Sequence, residues 1–189
     1  MLDYIIQLDQ SLFLFLNGLH CAFLDPVMVF ITGDVHWAPL YLTIVFFFFW
    51  KGNWRWGLLA LGAVLLTFAL TDQLSVHLFK NTVQRLRPCY EISLSGMVHL
   101  LENCGGKFGF ISSHAANTFG LAMITSLIFG KKWYSWCIFS WAALVSYSRI
   151  YVGKHYPLDI ICGAIFGLLA GYCAWKIFQF IKIKYTKTL

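Results

Sequence analysis

Ten consecutive residues, Tyr41–Trp50, carry no charge, and neither do the thirteen of Leu58–Leu70. Runs of this kind decide the solvent in which a chain folds. A helix that crosses a bilayer needs about 20 mostly apolar residues. Five stretches of the 189-residue chain approach or exceed that, at 27–50, 57–79, 113–130, 133–151 and 157–181. Only 12% of the residues are charged, against roughly 25% in a soluble domain. The expectation is therefore an all-α, polytopic transmembrane bundle of about five spans, forming one membrane-embedded domain over 1–189. Asp3, Gln7, Asp9, Gln10 and Asn17 interrupt the first 23 residues, which predicts an amphipathic interfacial helix there, a sixth span being the alternative. The amino terminus lacks a basic start and carries Asp3, so no signal peptide is expected.

Charge bias orients the five-span arrangement, because lysine and arginine are retained on the cytoplasmic side. One face collects Lys51, Arg55, Lys131, Lys132, Lys176, Lys182, Lys184 and Lys187 with no acid, and reads as cytoplasmic. The other face holds the amino-terminal segment, the 80–112 loop and the 149–157 turn. The net charge of +6 is thus a matter of membrane topology, and no nucleic-acid partner is expected. The basic residues of the outward face need a separate reason.

Three polar segments converge on that face. In KNTVQRLRPCY, Lys80 ends the second span, and Pro88 biases Leu86–Arg87 toward an extended path. In FGFISSHAAN, Ser112 or Ser113 is suited to cap the third span. SRIYVGKHYPLD joins the fourth and fifth spans and supplies Arg149, His155 and Asp159. Arginine offers a planar fork matched to phosphate oxygens, and lysine a compact charge. A helix amino terminus adds unpaired backbone N–H groups. Lys80, Arg87, Arg149 and the hydroxyl of Ser112 therefore read as a phosphate cradle. Asp159 lies one helical turn after His155, placed to hold one imidazole nitrogen and leave the other as a nucleophile. His114 is placed to serve as a general acid.

Lys80-x6-Arg87-Pro88, Ser112-x-His114 and Ser148-Arg149-x5-His155-x3-Asp159 together resemble the type 2 phosphatidic acid phosphatase superfamily of integral membrane lipid phosphatases. The second element departs from that family's Pro-Ser-Gly-His, reading Ile111-Ser112-Ser113-His114 here. Glycine lets backbone approach phosphate closely; a serine in helical conformation does the same and adds a hydroxyl. The resemblance implies a metal- and cofactor-independent phosphatase. In it His155 forms a phosphohistidine and His114 protonates the leaving group. Lys80, Arg87, Ser112 and Arg149 hold the oxygens, helped by the backbone N–H groups of Ser113 and His114. Among the family's substrates, undecaprenyl pyrophosphate is the first expectation, because the chain is short and its site faces outward. Phosphatidylglycerol phosphate, phosphatidic acid and a lipid A phosphate are the alternatives. The compact size suggests a bacterial inner membrane, with the site toward the periplasm.

The remaining polar residues are read more plainly. Arg85 and Lys154 are expected to be solvated. His77 and Asn117 are either neighbours of the site or packing groups. Asp34, His36 and Asp72 lie inside apolar segments and are expected to be buried hydrogen-bonding partners, with a contribution to the substrate site as the alternative. Cys89 and Cys104 share the outward loop, where an oxidising compartment would allow a disulfide over the site. A transporter or proton relay would string charges through the bilayer depth, whereas most charges here gather at one face. An anchoring protein would not need both motif histidines.

Overall fold

The computed structural model describes residues 2–50 and 53–186. Lys51 and Lys187, assigned above to the cytoplasmic face, lie outside the described residues. The fold is built of helices: α1 (Leu2–Asn17), α2 (Leu24–Thr32), α3 (Ala38–Trp50), α4 (Trp54–Leu74), a short α5 (Asn81–Val83), α6 (Ser113–Phe129), α7 (Lys132–Tyr151) and α8 (Pro157–Thr186). No strand occurs among the described residues; Leu86 and Phe108 form one isolated antiparallel bridge.

Two helical stretches, Trp54–Val83 and Pro157–Lys184, are long and apolar enough to cross a membrane. Leu24–Thr32 and Asp34–Trp50 qualify as a pair, bent by 73°. The other two expected spans are the helices α6 and α7. With 17 residues α6 is short, and it is the most enclosed helix: Ala115, Ala116, Gly120, Leu121, Ala122, Ile124 and Thr125 are all buried. A helix wrapped by protein can be less apolar than one facing lipid, which explains its weaker signal.

Small residues let the central helices touch. A Cβ added at Gly163 would lie 2.5 Å from the Ser112 carbonyl oxygen, and one at Gly171 2.6 Å from that of Gly120. Gly167, midway between them, faces Ala116 in the same way. Spaced four apart, the three glycines form one stripe on α8 that admits the backbone of α6, as small residues do wherever transmembrane helices approach closely.

α1 is amphipathic with its polar stripe turned inward. Asp9, Phe13 and Asn17, each four residues apart, are buried, while Tyr4 and Phe15 are each 64% exposed on the outer side. The Asn17 side-chain amide donates to the carbonyls of His99, Ile150 and Tyr151, and its oxygen accepts from the His99 N–H. This docks α1 against the end of α7 and the 84–112 loop. His20 stacks on His99, and Asp25 meets both His99 and the Tyr151 hydroxyl, fastening the α1–α2 connection to the same place.

Candidate active site

The break between α2 and α3 opens the site. Gly33 is extended, and the two following aromatic side chains turn back onto the end of α2. His36 Nδ1 pairs with the Phe30 carbonyl at 2.7 Å, and Trp37 Nε1 donates to Ile31 at 2.8 Å. Backbone groups left open by a helix break inside a membrane must find such partners. The break carries Asp34 into a cavity of about 430 Å³. Lys80, Arg87, Ser113, His114, Arg149 and His155 line the same cavity.

Each of these side chains has an identifiable support. Lys80 closes a π-helical turn, Ser75–Lys80, that follows α4, a distortion frequent at functional sites. Its Nζ donates to Ser113 Oγ at 2.7 Å, and Ser75 Oγ lies 2.8 Å from the same oxygen. The helix then ends at Val83, with Gln84 left-handed (φ 51°), three residues before the extended Arg87. The bridge between Leu86 and Phe108 holds the strand-like approach to Arg87. The Arg87 Nη1 donates to the Cys104 carbonyl at 3.0 Å. Cys89 and Cys104 are joined as a disulfide, which ties the two sides of this loop together.

Arg149 is buried at the end of α7. Its Nη1 donates to Thr32 Oγ1 at 2.6 Å, whereas its Nε has no hydrogen-bond partner. A buried guanidinium with an unused donor on a cavity wall is suited to an anion. His155 sits in the turn between α7 and α8, 2% exposed, with Nδ1 3.4 Å from Asp159 Oδ2. Burial first, then the positive charges of Arg149, Arg87, His114 and Lys80, push its pKa well below the ordinary imidazole value. The ring is therefore held neutral.

Asp159 is wholly buried and fully engaged. Its Oδ2 also accepts from the Tyr156 N–H at 3.0 Å, and its Oδ1 accepts from Arg85 Nη1 at 3.0 Å. Arg85 in turn pairs with Asp9 Oδ2 at 2.7 Å and lies 4.0 Å over the Tyr156 ring. Asp9 Oδ1 accepts the Leu158 N–H, in the first turn of α8. The result is a chain from His155 through Asp159 and Arg85 to Asp9, anchoring α1 to the site.

Several expectations are corrected. Arg85 is not a solvated residue but the link between two carboxylates, and Lys154 pairs with Glu102 at 2.7 Å. Ser112 does not present its hydroxyl to the cavity. It caps α6 by accepting from the Ala115 N–H, while its own N–H donates to the Asp159 carbonyl. Ser113, one residue on, is the serine on the cavity wall. Asp34 and Asp72 are not buried partners but line the cavity, and Asp34 Oδ1 meets His114 Nε2 at 3.2 Å. Asn117 lines it as well and accepts from Thr71. Gly109 escaped notice: a Cβ there would lie 3.2 Å from Asp159 Oδ2 and 3.6 Å from His155 Nδ1.

Helices that cross a membrane around a cationic, histidine-bearing cavity define an integral membrane phosphatase. The chain belongs to the PAP2 superfamily, whose family model matches residues 56–183. A lipid A 4'-phosphatase of Porphyromonas gingivalis is 38% identical over 97% of this chain and 78% of its own length. One of Bacteroides thetaiotaomicron is 39% identical, over 100% and 83%. An undecaprenyl-diphosphatase of Sulfolobus acidocaldarius is 28% identical over 96% and 81%. Among solved structures, Aquifex aeolicus LpxE matches with TM-score 0.65 and 26% identity over 88% of this chain and 93% of its own. A PAP2-type phosphatidylglycerolphosphate phosphatase of Bacillus subtilis shares the fold, with TM-score 0.73 and 24% identity over 94% and 88%.

Proposed function

We propose that this membrane phosphatase removes a phosphate monoester from the sugar headgroup of a lipid A-type glycolipid, through a phosphohistidine on His155. The observation that carries the reading is the single cavity of about 430 Å³ into which Lys80, Arg87, Ser113, His114, Arg149 and His155 all converge. The substrate choice reverses the sequence-based order, which put undecaprenyl pyrophosphate first. The relatives named for lipid A are 38% and 39% identical, against 28% for the relative named for undecaprenyl diphosphate.

The chemistry follows from the side chains. Asp159 accepts the Nδ1 proton of His155, leaving the Nε2 lone pair free. Nε2 attacks phosphorus, and the bond from phosphorus to the sugar oxygen breaks. His114 transfers its proton to that oxygen, so the sugar leaves as an alcohol. Water then attacks phosphorus, giving a proton to His114; the N–P bond breaks, phosphate departs and His155 regains its lone pair. Lys80, Arg87 and Arg149 balance the charge that builds on the phosphoryl oxygens. Lys80, Arg87 and Arg149 suit the cavity to an anion, and no metal is assigned a role.

The acyl chains have an adjacent place. An apolar groove of about 720 Å³ between α3 and α7, lined by Leu40, Ile44, Phe47 and Ile138, shares Trp141 with the cavity. A headgroup in the cavity and a tail in the groove fit a lipid entering sideways from the bilayer. The basic residues Arg55, Lys131 and Lys132 lie at the opposite ends of their helices from Lys80 and Arg149, which supports a site on the outward, periplasmic side.

The test is phosphate release in detergent with EDTA present, from lipid A, undecaprenyl pyrophosphate, phosphatidylglycerol phosphate and phosphatidic acid. Wild type is expected to act fastest on lipid A, and His155→Ala on none of them. Equal release by His155→Ala would overturn the mechanism, and faster release from undecaprenyl pyrophosphate would overturn the substrate.

A further inference from the structure

We propose that Asp34 selects the leaving group: it favours a phosphate ester whose leaving group is an uncharged, hydroxyl-bearing alcohol and disfavours a diphosphate. The inference rests on the reading above in one respect, that His114 protonates the leaving oxygen. Given that role, the position of His114 marks the side of the cavity on which the leaving group must lie. Asp34 stands on that side, with Oδ1 3.2 Å from His114 Nε2 and 76% of its side chain exposed within the lining of the cavity.

The placement is built rather than incidental. Gly33 is extended, and a Cβ there would lie 2.6 Å from His36 Nδ1, so the His36 ring folds tightly over the break. Thr32, two residues before Asp34, is held by Arg149 at 2.6 Å, so one side of the break is fixed to the phosphate cradle. Asp34 thus sits at a corner tied to Arg149 through Thr32 and to His114 directly.

A carboxylate at this point treats the two substrate classes differently. A sugar leaving group carries hydroxyl and amide N–H donors that a carboxylate accepts. A diphosphate loses a phosphate, which brings one or two negative charges against the same carboxylate. Like charges about 4 Å apart repel enough, even across water, to change binding by about fivefold, and by more as a bound substrate displaces solvent. The phosphoryl group under attack is not affected, because Lys80, Arg87 and Arg149 hold it.

The experiment reads binding and turnover separately. Orthophosphate and inorganic pyrophosphate would be titrated calorimetrically into detergent-solubilised wild type, Asp34→Asn and Asp34→Ser. Turnover of lipid A and undecaprenyl pyrophosphate would be measured on the same samples. Asn is nearly isosteric and keeps an acceptor for His114, and thermal melts check that each variant folds. Orthophosphate affinity is expected to stay within about twofold, while pyrophosphate binds roughly tenfold more tightly to both variants. The ratio of kcat/KM for the diphosphate over the monoester should rise by a similar factor. A residue that only orients His114 would lower both turnovers together and leave both ratios unchanged, and that result would overturn the proposal. A shifted pyrophosphate ratio without lipid A turnover would sustain Asp34 while removing the substrate reading; lipid A turnover with unshifted ratios would do the reverse.

Discussion

Arg85 Nη1 donates to Asp159 Oδ1 across 3.0 Å, and the carboxylate it meets is fully buried. Without Arg85 that carboxylate would lose its one cationic hydrogen-bond donor, and the Asp9 carboxylate would lose its own. Breaking one partner out of a buried ion pair costs about 3–5 kcal/mol; Arg85 is 19% exposed, so the lower end applies. Arg85→Ala is expected to lower thermal stability and to reduce kcat by roughly a hundredfold, because Asp159 would no longer hold His155 in line. KM should change far less, since Arg85 does not line the cavity. Steady-state kinetics on a purified, folded variant decides this; an unchanged kcat would remove Arg85 from the positioning chain.

The neutral state of His155 has a pH signature. Burial and four neighbouring positive groups lower its pKa well below 6.5 in the folded protein. In the proposed mechanism the nucleophile is the unprotonated ring, so the acid limb of kcat/KM that belongs to it should fall well below pH 6.5. Stability falls in the same direction, but over a higher pH window. Between the folded and unfolded values the unfolded chain binds more protons, so this residue's share of stability is present above about pH 6.5 and is lost as pH falls toward the folded value. His155→Asn should flatten that part of the stability profile. An acid limb at the ordinary imidazole value would contradict the placement of His155 in a dry, cationic surround.

Gly109 packs closely behind His155 and Asp159. A methyl group there would lie 3.1 Å from Arg87 Cγ and 3.2 Å from Asp159 Oδ2. Both neighbours are fixed, Arg87 by loop carbonyls and Asp159 by Arg85 and Tyr156. Overpacking of this kind costs typically 1–3 kcal/mol. Gly109→Ala should therefore fold with a lowered melting temperature and lose about tenfold or more in kcat, as the His155–Asp159 pair shifts by a few tenths of an ångström. Wild-type kinetics in this variant would show that the loop yields without disturbing the pair.

The parts of the site that could be read from sequence are those with a fixed local spacing. His155 and Asp159 are one helical turn apart, and the position of Pro157 at the start of α8 makes that spacing meaningful. Lys80, Arg87 and Arg149 were legible because cations at the edge of apolar runs are costly unless they are used. Ser112 and Ser113 show the limit: both are candidates by type, and only the register of the helix start decides which hydroxyl becomes the cap. Asp34, Arg85 and Asp9 were misread or passed over because their partners lie 80, 74 and 76 residues away, at His114, Asp159 and Arg85. No pattern along the chain reports such pairings. The break at Gly33 left a trace in Gly33, Asp34, His36 and Pro39, but the runs on both sides are apolar enough for 27–50 to read as one span.

The Cys89–Cys104 disulfide makes Arg87 sensitive to the redox state. It closes a loop of 15 residues, for which the lost chain entropy of the unfolded state corresponds to about 3 kcal/mol. Arg87 lies two residues before Cys89, and its guanidinium donates to the Cys104 carbonyl. The bridge thus holds both the backbone and the acceptor that aim this cation at the cavity. The double variant Cys89→Ser, Cys104→Ser is expected to melt lower and to bind phosphate more weakly, raising KM more than it lowers kcat. Dithiothreitol should reproduce the effect in wild type and have none on the double variant. The free cysteines at 21, 137, 162 and 173 lie outside the cavity lining, so a reductant effect that persists in the double variant would have to come from elsewhere and would dissociate the disulfide from Arg87.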